Sequence, residues 1–241
     1  MALEKEFNYN TFWGGGKTMI NLIQNKEALN QAGVEMFNLC TIQLTNAREA
    51  FLNLDKELAE NVIRMEHRVN ALDLKIDRDC EQFLALHKPV ASDLRFVLAL
   101  RKINFDLERI GDYAYGISKY TVEINTVPAK KLLDKLRVEE MFRYALSMLE
   151  DIFQAYVDAD SQLAHKVFKK EQVLNEINNN SISIIINTIK DDVNLIDQFL
   201  LLFTVIKKLE RVGDLATNIA QEIIFYGEAE VLKHQKEKFG I

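Results

Sequence analysis

Between Val34 and Tyr226 the chain carries glycine only at Gly111, Gly116 and Gly213 and proline only at Pro89 and Pro128. A glycine inside a helix costs about 1 kcal/mol relative to alanine and a proline about 3 kcal/mol. A long span that avoids both is written for long helices, and the few breakers mark where those helices end or carry something special.

Apolar residues at Leu58, Val62, Met65, Val69, Leu72, Ile76, Cys80 and Phe83 step by four or three, the buried stripe of one amphipathic helix over residues 57–87. Pro89 disfavours the α conformation at Lys88, and Ser92 or Asp93 is then placed to cap the next helix, so HKPVASD reads as a tight connection. The apolar face resumes at Leu107, Ile110, Ala114 and Ile117 and fades into EINTVPAKK, the one convincing internal linker. Further helices are expected near 134–158, 161–189 and 193–226.

The second half rewrites the first. Asp55, Leu58, Ala59, Val62 and Glu66 recur in the same order and spacing as Asp160, Leu163, Ala164, Val167 and Glu171, and LERIGD at 107–112 recurs as LERVGD at 209–214. A period of about 100 residues exceeds that of the common solenoids and signals duplication of a small domain. Three helices with short connections pack as antiparallel neighbours. The expected fold is all-α, two tandem three-helix bundles: an arm over 1–33, a first bundle over 34–124, a linker over 125–133, a second bundle over 134–226 and a tail over 227–241.

With 48% apolar residues the chain can bury a real core, and its net charge of −6, without a basic run interleaved with aromatics, argues against nucleic acid as a direct partner. MALEKEFNYN has no basic start followed by an apolar run, so no secretory signal is expected. The longest apolar run, Phe199 to Phe203, is far short of the roughly 20 residues that span a bilayer. The expectation is a cytoplasmic protein with no membrane insertion. Cys40 and Cys80 lack CxxC spacing and read as small core residues.

The repeated hexapeptide places Glu108 with Asp112, and Glu210 with Asp214, one helical turn apart on one face. Like charges at that spacing repel, and the internal glycine weakens the helix further. A bound cation converts the repulsion into shared coordination, and the glycine admits a close neighbour. On the preceding helix Glu66, Asn70, Asp73 and Asp77 form an acidic row one residue beyond the apolar stripe. If the two helices pack side by side, Asp73 and Asp77 face Glu108 and Asp112, an oxygen-rich set suited to iron, zinc or manganese. Two other readings stand beside this one. Acids fill 36 of 241 positions, and such pairs are common on solvated helices. Arg109 and Arg211 are also placed to neutralise them without metal. The histidines, His67, His87, His165 and His234, share no ligand spacing.

HKPVASDLR at 87–95, LERIGD at 107–112 and LERVGDLATNIAQEI at 209–223, with the duplication, resemble the PhoU family of bacterial phosphate-uptake and phosphate-signalling regulators, over about residues 34–226. The resemblance implies paired three-helix bundles, a homodimer in many members, and acidic motifs that bind iron or zinc in some. It also implies negative control of the phosphate regulon through the ABC phosphate transporter, with its ATPase subunit and a phosphate-sensing histidine kinase as partners. The metal residues it carries over are Asp73 with Asp77, Glu108 with Asp112, and Glu210 with Asp214. Asn70 stands where the family usually has an acid. In the second bundle the row reads Glu171, Asn175, Asn178 and Ile182, so the first bundle is expected to bind metal better than the second.

Gly16, Lys17 and Thr18 mimic the end of a P-loop, but Thr11 stands where the motif requires glycine, so the first 33 residues read as a loosely packed arm. A carboxylate-bundle metalloenzyme would use Glu-x-x-His pairs, whereas Arg64, Leu84, Gln162 and Val231 stand three residues before the histidines. The remaining alternative is a metal-free helical adaptor.

Overall fold

The computed structural model describes residues 10–126 and 128–228, with the backbone alone for 10–19. The elements in chain order are α1 (Asn10–Asn53), α2 (Lys56–His87), α3 (Ala91–Glu123), a short α4 (Lys130–Lys135), α5 (Val138–Asp158), α6 (Ser161–Asp191), a single 3₁₀ turn (Val193–Leu195) and α7 (Ile196–Glu228). Helices α1, α2 and α3 pack as one bundle and α5, α6 and α7 as a second.

The repeated sequence positions do repeated work at the helix starts. Asp55 caps α2 by accepting from the Leu58 N–H at 2.9 Å, and Asp160 caps α6 by accepting from the N–H groups of Gln162 and Leu163. Each such cap is worth about 1 kcal/mol. The HKPVASD connection is tighter than expected. Lys88 adopts a left-handed conformation with φ 46° and returns its N–H to Leu84 O at 3.2 Å. Helix α3 then begins at Ala91, with Val90 at the cap and no side chain bonded there. Ser92 and Asp93 are therefore not the cap. Asp93 instead accepts from Lys26 of α1 at 2.6 Å, tying the turn to the neighbouring helix.

Two expectations about the connecting segments change. From Asn10 onward the segment read as an arm is helical and continuous with α1 across residue 33, and Leu29 and Ala32 within it are buried. The linker runs into α4, whose Leu132 and Leu133 are buried in the core. The linker therefore contributes apolar surface to the packing it spans.

The core runs through both bundles without interruption. Phe37 of α1 stacks near Tyr156 of α5 with ring centroids 5.1 Å apart, and Phe96 of α3 meets Tyr226 of α7 edge-on at 6.1 Å. Along the α3–α7 seam Lys102 pairs with Glu222 at 3.0 Å, while the Lys208 ammonium lies over the rings of Tyr113 and Tyr120. The contacts climb one helix as they descend the other, so α3 and α7 are antiparallel. Both copies of the hexapeptide lie between these contacts, in the middle of the molecule.

Candidate metal centre

Helices α2 and α3 also run antiparallel, and their register decides which acids meet. Asn104 donates to the Asp73 carboxylate at 2.7 Å, and Arg101 reaches Asp77 at 3.4 Å and Glu81 at 3.5 Å. Two turns toward the other end of the seam, Glu66 comes level with Glu108 and Asp112. One carboxylate oxygen from each of these three lies within 4.8 Å of the other two. Among the described residues this is the group of three acids, histidines or cysteines able to hold one ion.

The expected partnership of Asp73 and Asp77 with Glu108 and Asp112 is thus displaced along α2. Asp73 stays close enough for its charge to act on Glu108, but Asp77 is drawn to Arg101. Glu66 takes the place opposite Asp112. It was visible in the sequence as the first member of the acidic row, yet its burial was not: the stripe pointed inward at Met65, and it is Glu66 that is 7% exposed, with Met65 only half-buried. The inward turn of Glu66 has a partner that no spacing on α2 or α3 announces. Gln43 of α1, wholly buried, donates its amide to Glu66 Oε2 at 3.2 Å.

Three carboxylates meet here, with Arg109 acting on Glu108 and Lys208 on Asp112. Burial first, and then the charges of Asp112, Asp73 and Glu66, push the Glu108 carboxyl up to about 7, with Arg109 opposing. Glu66 is raised by burial foremost and by Asp112, against the hydrogen bond from Gln43. Asp73 is raised by burial and by Asp77. Glu66 Oε1 and Gln43 Oε1 are buried with no hydrogen-bond partner. Orphaned oxygens beside crowded, part-buried carboxylates are the donor set a cation satisfies, and carboxylate and amide oxygens suit hard ions.

The second bundle uses the same residues differently. Asn178 approaches Glu210 at 3.5 Å, Arg211 donates to Asp214 at 2.9 Å and lies 3.6 Å from Glu210 Oε2, and Asn175 donates to Glu171 on its own helix. Arg211 is the internal cation that the sequence allowed for. The glycines of the two hexapeptides differ in the same way. A Cβ at Gly213 would stand 2.6 Å from Leu174 Cδ1, whereas a Cβ at Gly111 would stand 2.8 Å from Gln43 Oε1. One notch is filled with hydrocarbon, the other with an amide.

The remaining candidates behave as ordinary structure. His87 shares a 2.9 Å contact with Asn25, His67 is exposed, and His234 lies outside the described residues. Cys40 and Cys80 are buried free thiols, and Cys40 donates to Leu107 O at 3.1 Å. No helix among the described residues is long and apolar enough to cross a membrane.

The PhoU domain family model matches the chain twice, at residues 34–121 and 138–223. Among similar proteins, a phosphate-specific transport system accessory protein PhoU homolog of Burkholderia sp is 31% identical, over 83% of this chain and 86% of its own. The phosphate-specific transport system accessory protein PhoU of Escherichia coli K12 is 28% identical over 86% of both. In three dimensions the crystal structure of the phosphate transport system regulatory protein PhoU from Streptococcus pneumoniae aligns with a TM-score of 0.78 at 27% identity, over 87% of this chain and 98% of that one. PhoU from Pseudomonas aeruginosa has the same fold, with a TM-score of 0.78 at 24% identity over 86% of this chain and 99% of that one. With one domain copy in each bundle, and near full-length correspondence to these proteins, the chain belongs to the PhoU family.

Proposed function

We propose that this protein is a cytoplasmic accessory regulator of phosphate transport. It restrains phosphate uptake and phosphate-starvation signalling by binding the ATPase subunit of an ABC phosphate transporter and a phosphate-sensing histidine kinase, and it acts as a homodimer. The observation that carries this reading is the double PhoU domain, with near full-length likeness to proteins named for accessory and regulatory roles in phosphate transport. Output through protein contacts suits a chain whose first 33 residues lack a complete P-loop and whose histidines lack the Glu-x-x-His spacing.

In this reading the first bundle holds a metal ion, iron or zinc, through Glu66, Glu108 and Asp112, with Asp73 adding charge nearby. Bound metal supplies positive charge, joins α2 to α3, and removes negative charge from the surface offered to partners. Charge complementarity governs both specificity and encounter rate at such surfaces. In the second bundle Arg211 already supplies the cation, so Glu210 and Asp214 fix the helix without metal.

The test is a deletion strain compared with wild type in phosphate-replete medium, joined to a pull-down from membranes with and without chelator. Raised phosphate uptake or derepressed starvation genes, with capture of the ATPase subunit or the kinase, is the expected result. Normal uptake with neither partner retained under either condition removes the regulator reading.

A further inference from the structure

Gln43 comes from α1, outside the two helices that carry the acids, yet it reaches the centre of the cluster. Its side chain is completely buried, its amide nitrogen donates to Glu66 Oε2 at 3.2 Å, and its amide oxygen has no hydrogen-bond partner. That oxygen occupies the notch over Gly111, 2.8 Å from where a Cβ would stand. A buried amide whose oxygen goes unbonded beside three carboxylates is a costly arrangement unless it serves them. The second bundle also leaves oxygens unbonded, Asn178 Oδ1 and Glu210 Oε2, but closes its notch differently. Leu174 fills the notch over Gly213, where the first bundle has the Gln43 amide.

We infer that Gln43 is the positioning residue of the first-bundle cation site: seated by Gly111, it holds one oxygen of Glu66 so that the other is presented toward Glu108 and Asp112. The inference rests on the metal reading given above and adds to it a third helix. The amide fixes the Glu66 rotamer before the ion arrives, so the site does not have to order that side chain on binding. Loss of a group that orients a ligating carboxylate typically weakens metal affinity about 10- to 100-fold. It also gives the glycine of LERIGD a chemical task, because any side chain at 111 displaces the Gln43 amide. Through Gln43 the occupancy of the site is linked to the packing of α1, and α1 in turn packs on α5 of the second bundle.

The full-length protein is titrated with Mn²⁺ in chelator-treated buffer, with free Mn²⁺ read by electron paramagnetic resonance. The variants are Gln43→Met, which keeps volume and removes the amide, and Gly111→Ala, which keeps the amide and crowds its seat. Each is expected to weaken Mn²⁺ binding about 10- to 100-fold. In a Glu66→Gln background neither change should weaken it further, a coupling that general loosening of the core would not produce. If wild type binds Mn²⁺ and both variants bind it equally well, or if their losses multiply with that of Glu66→Gln, Gln43 is not a positioning residue and the metal reading stands. If wild type, tested with Mn²⁺, Zn²⁺ and iron, binds none of them, the metal reading and this one fall together.

Discussion

Arg211 reaches forward along α7 to donate to Asp214 at 2.9 Å, whereas Arg109, its counterpart on α3, lies over the ring of Phe105 at 5.7 Å. The same hexapeptide therefore keeps its arginine against its own acids in one bundle and turns it onto a ring in the other. Metal content should follow that division. Glu108→Gln with Asp112→Asn is expected to remove most metal from protein purified without added metal or chelator, and Glu210→Gln with Asp214→Asn to leave it unchanged. Elemental analysis of the two double variants decides the matter, and equal loss in both would remove the distinction between the bundles.

The antiparallel register of α2 and α3 separates Asp77 from the cluster and gives it to Arg101. Asp77→Asn should leave the bound metal in place. Asp73→Asn should weaken binding by only a few-fold, because Asp73 acts through its charge on Glu108 and already accepts from Asn104. Isothermal titration of the two single variants would show it, and a complete loss in Asp77→Asn would contradict the register described.

Glu108 gives the metal-free protein a pH dependence of definite sign. Its carboxyl is raised in the folded state to about 7 from the 4.5 of a free glutamate. Between those values the folded chain holds a proton that the unfolded chain has released, so stability falls as pH rises through that window and levels off above it. The contribution is full below the unfolded value and lost above the folded one. Glu108→Gln should flatten this part of the profile, read as the denaturation midpoint between pH 4.5 and 8. Cation affinity should run the other way and weaken below about pH 7, since a proton competes for the same oxygens.

The interior glycines should respond unequally to alanine. At Gly213 the new methyl meets Leu174 in a packed core, and a loss of about 1–3 kcal/mol is expected. At Gly116 it meets the end of the Lys208 side chain, which can swing aside, and the gain in helix propensity leaves the net change within about 0.5 kcal/mol. Urea titration of the metal-free variants measures both. A larger loss at Gly116 would mean that Lys208 is fixed between Tyr113 and Tyr120 more firmly than its flexible stem allows.

The Lys102–Glu222 pair joins the bundles with one partner half-exposed and the other 6% exposed. Lys102→Ala should destabilise by about 1–2 kcal/mol, less than for a wholly buried pair because solvent screens the ammonium. Glu222→Gln in the same background should recover part of that loss by removing the buried charge, which a double-mutant cycle would resolve.

Local chemistry is what the sequence determined. The scarcity of glycine and proline, the three-and-four stepping of apolar residues and the repeated aspartate caps are short-range features, each acting within a turn or two of its own helix. Together they specify long helices, the capped starts of α2 and α6, and the duplication, and the shared motifs point to the family. Tertiary structure decided what depends on two helices at once. The sequence shows Glu66, Asp73 and Asp77 as one row, and only the register against α3 places Glu66 opposite Asp112 and turns Asp77 to Arg101. Gln43 has no signature at all, because its role is set by the space over Gly111, which exists only once α1 is packed against α3. Helical periodicity is fixed by the backbone of a single segment, whereas register and the filling of a notch are settled by the packing of side chains distant in sequence.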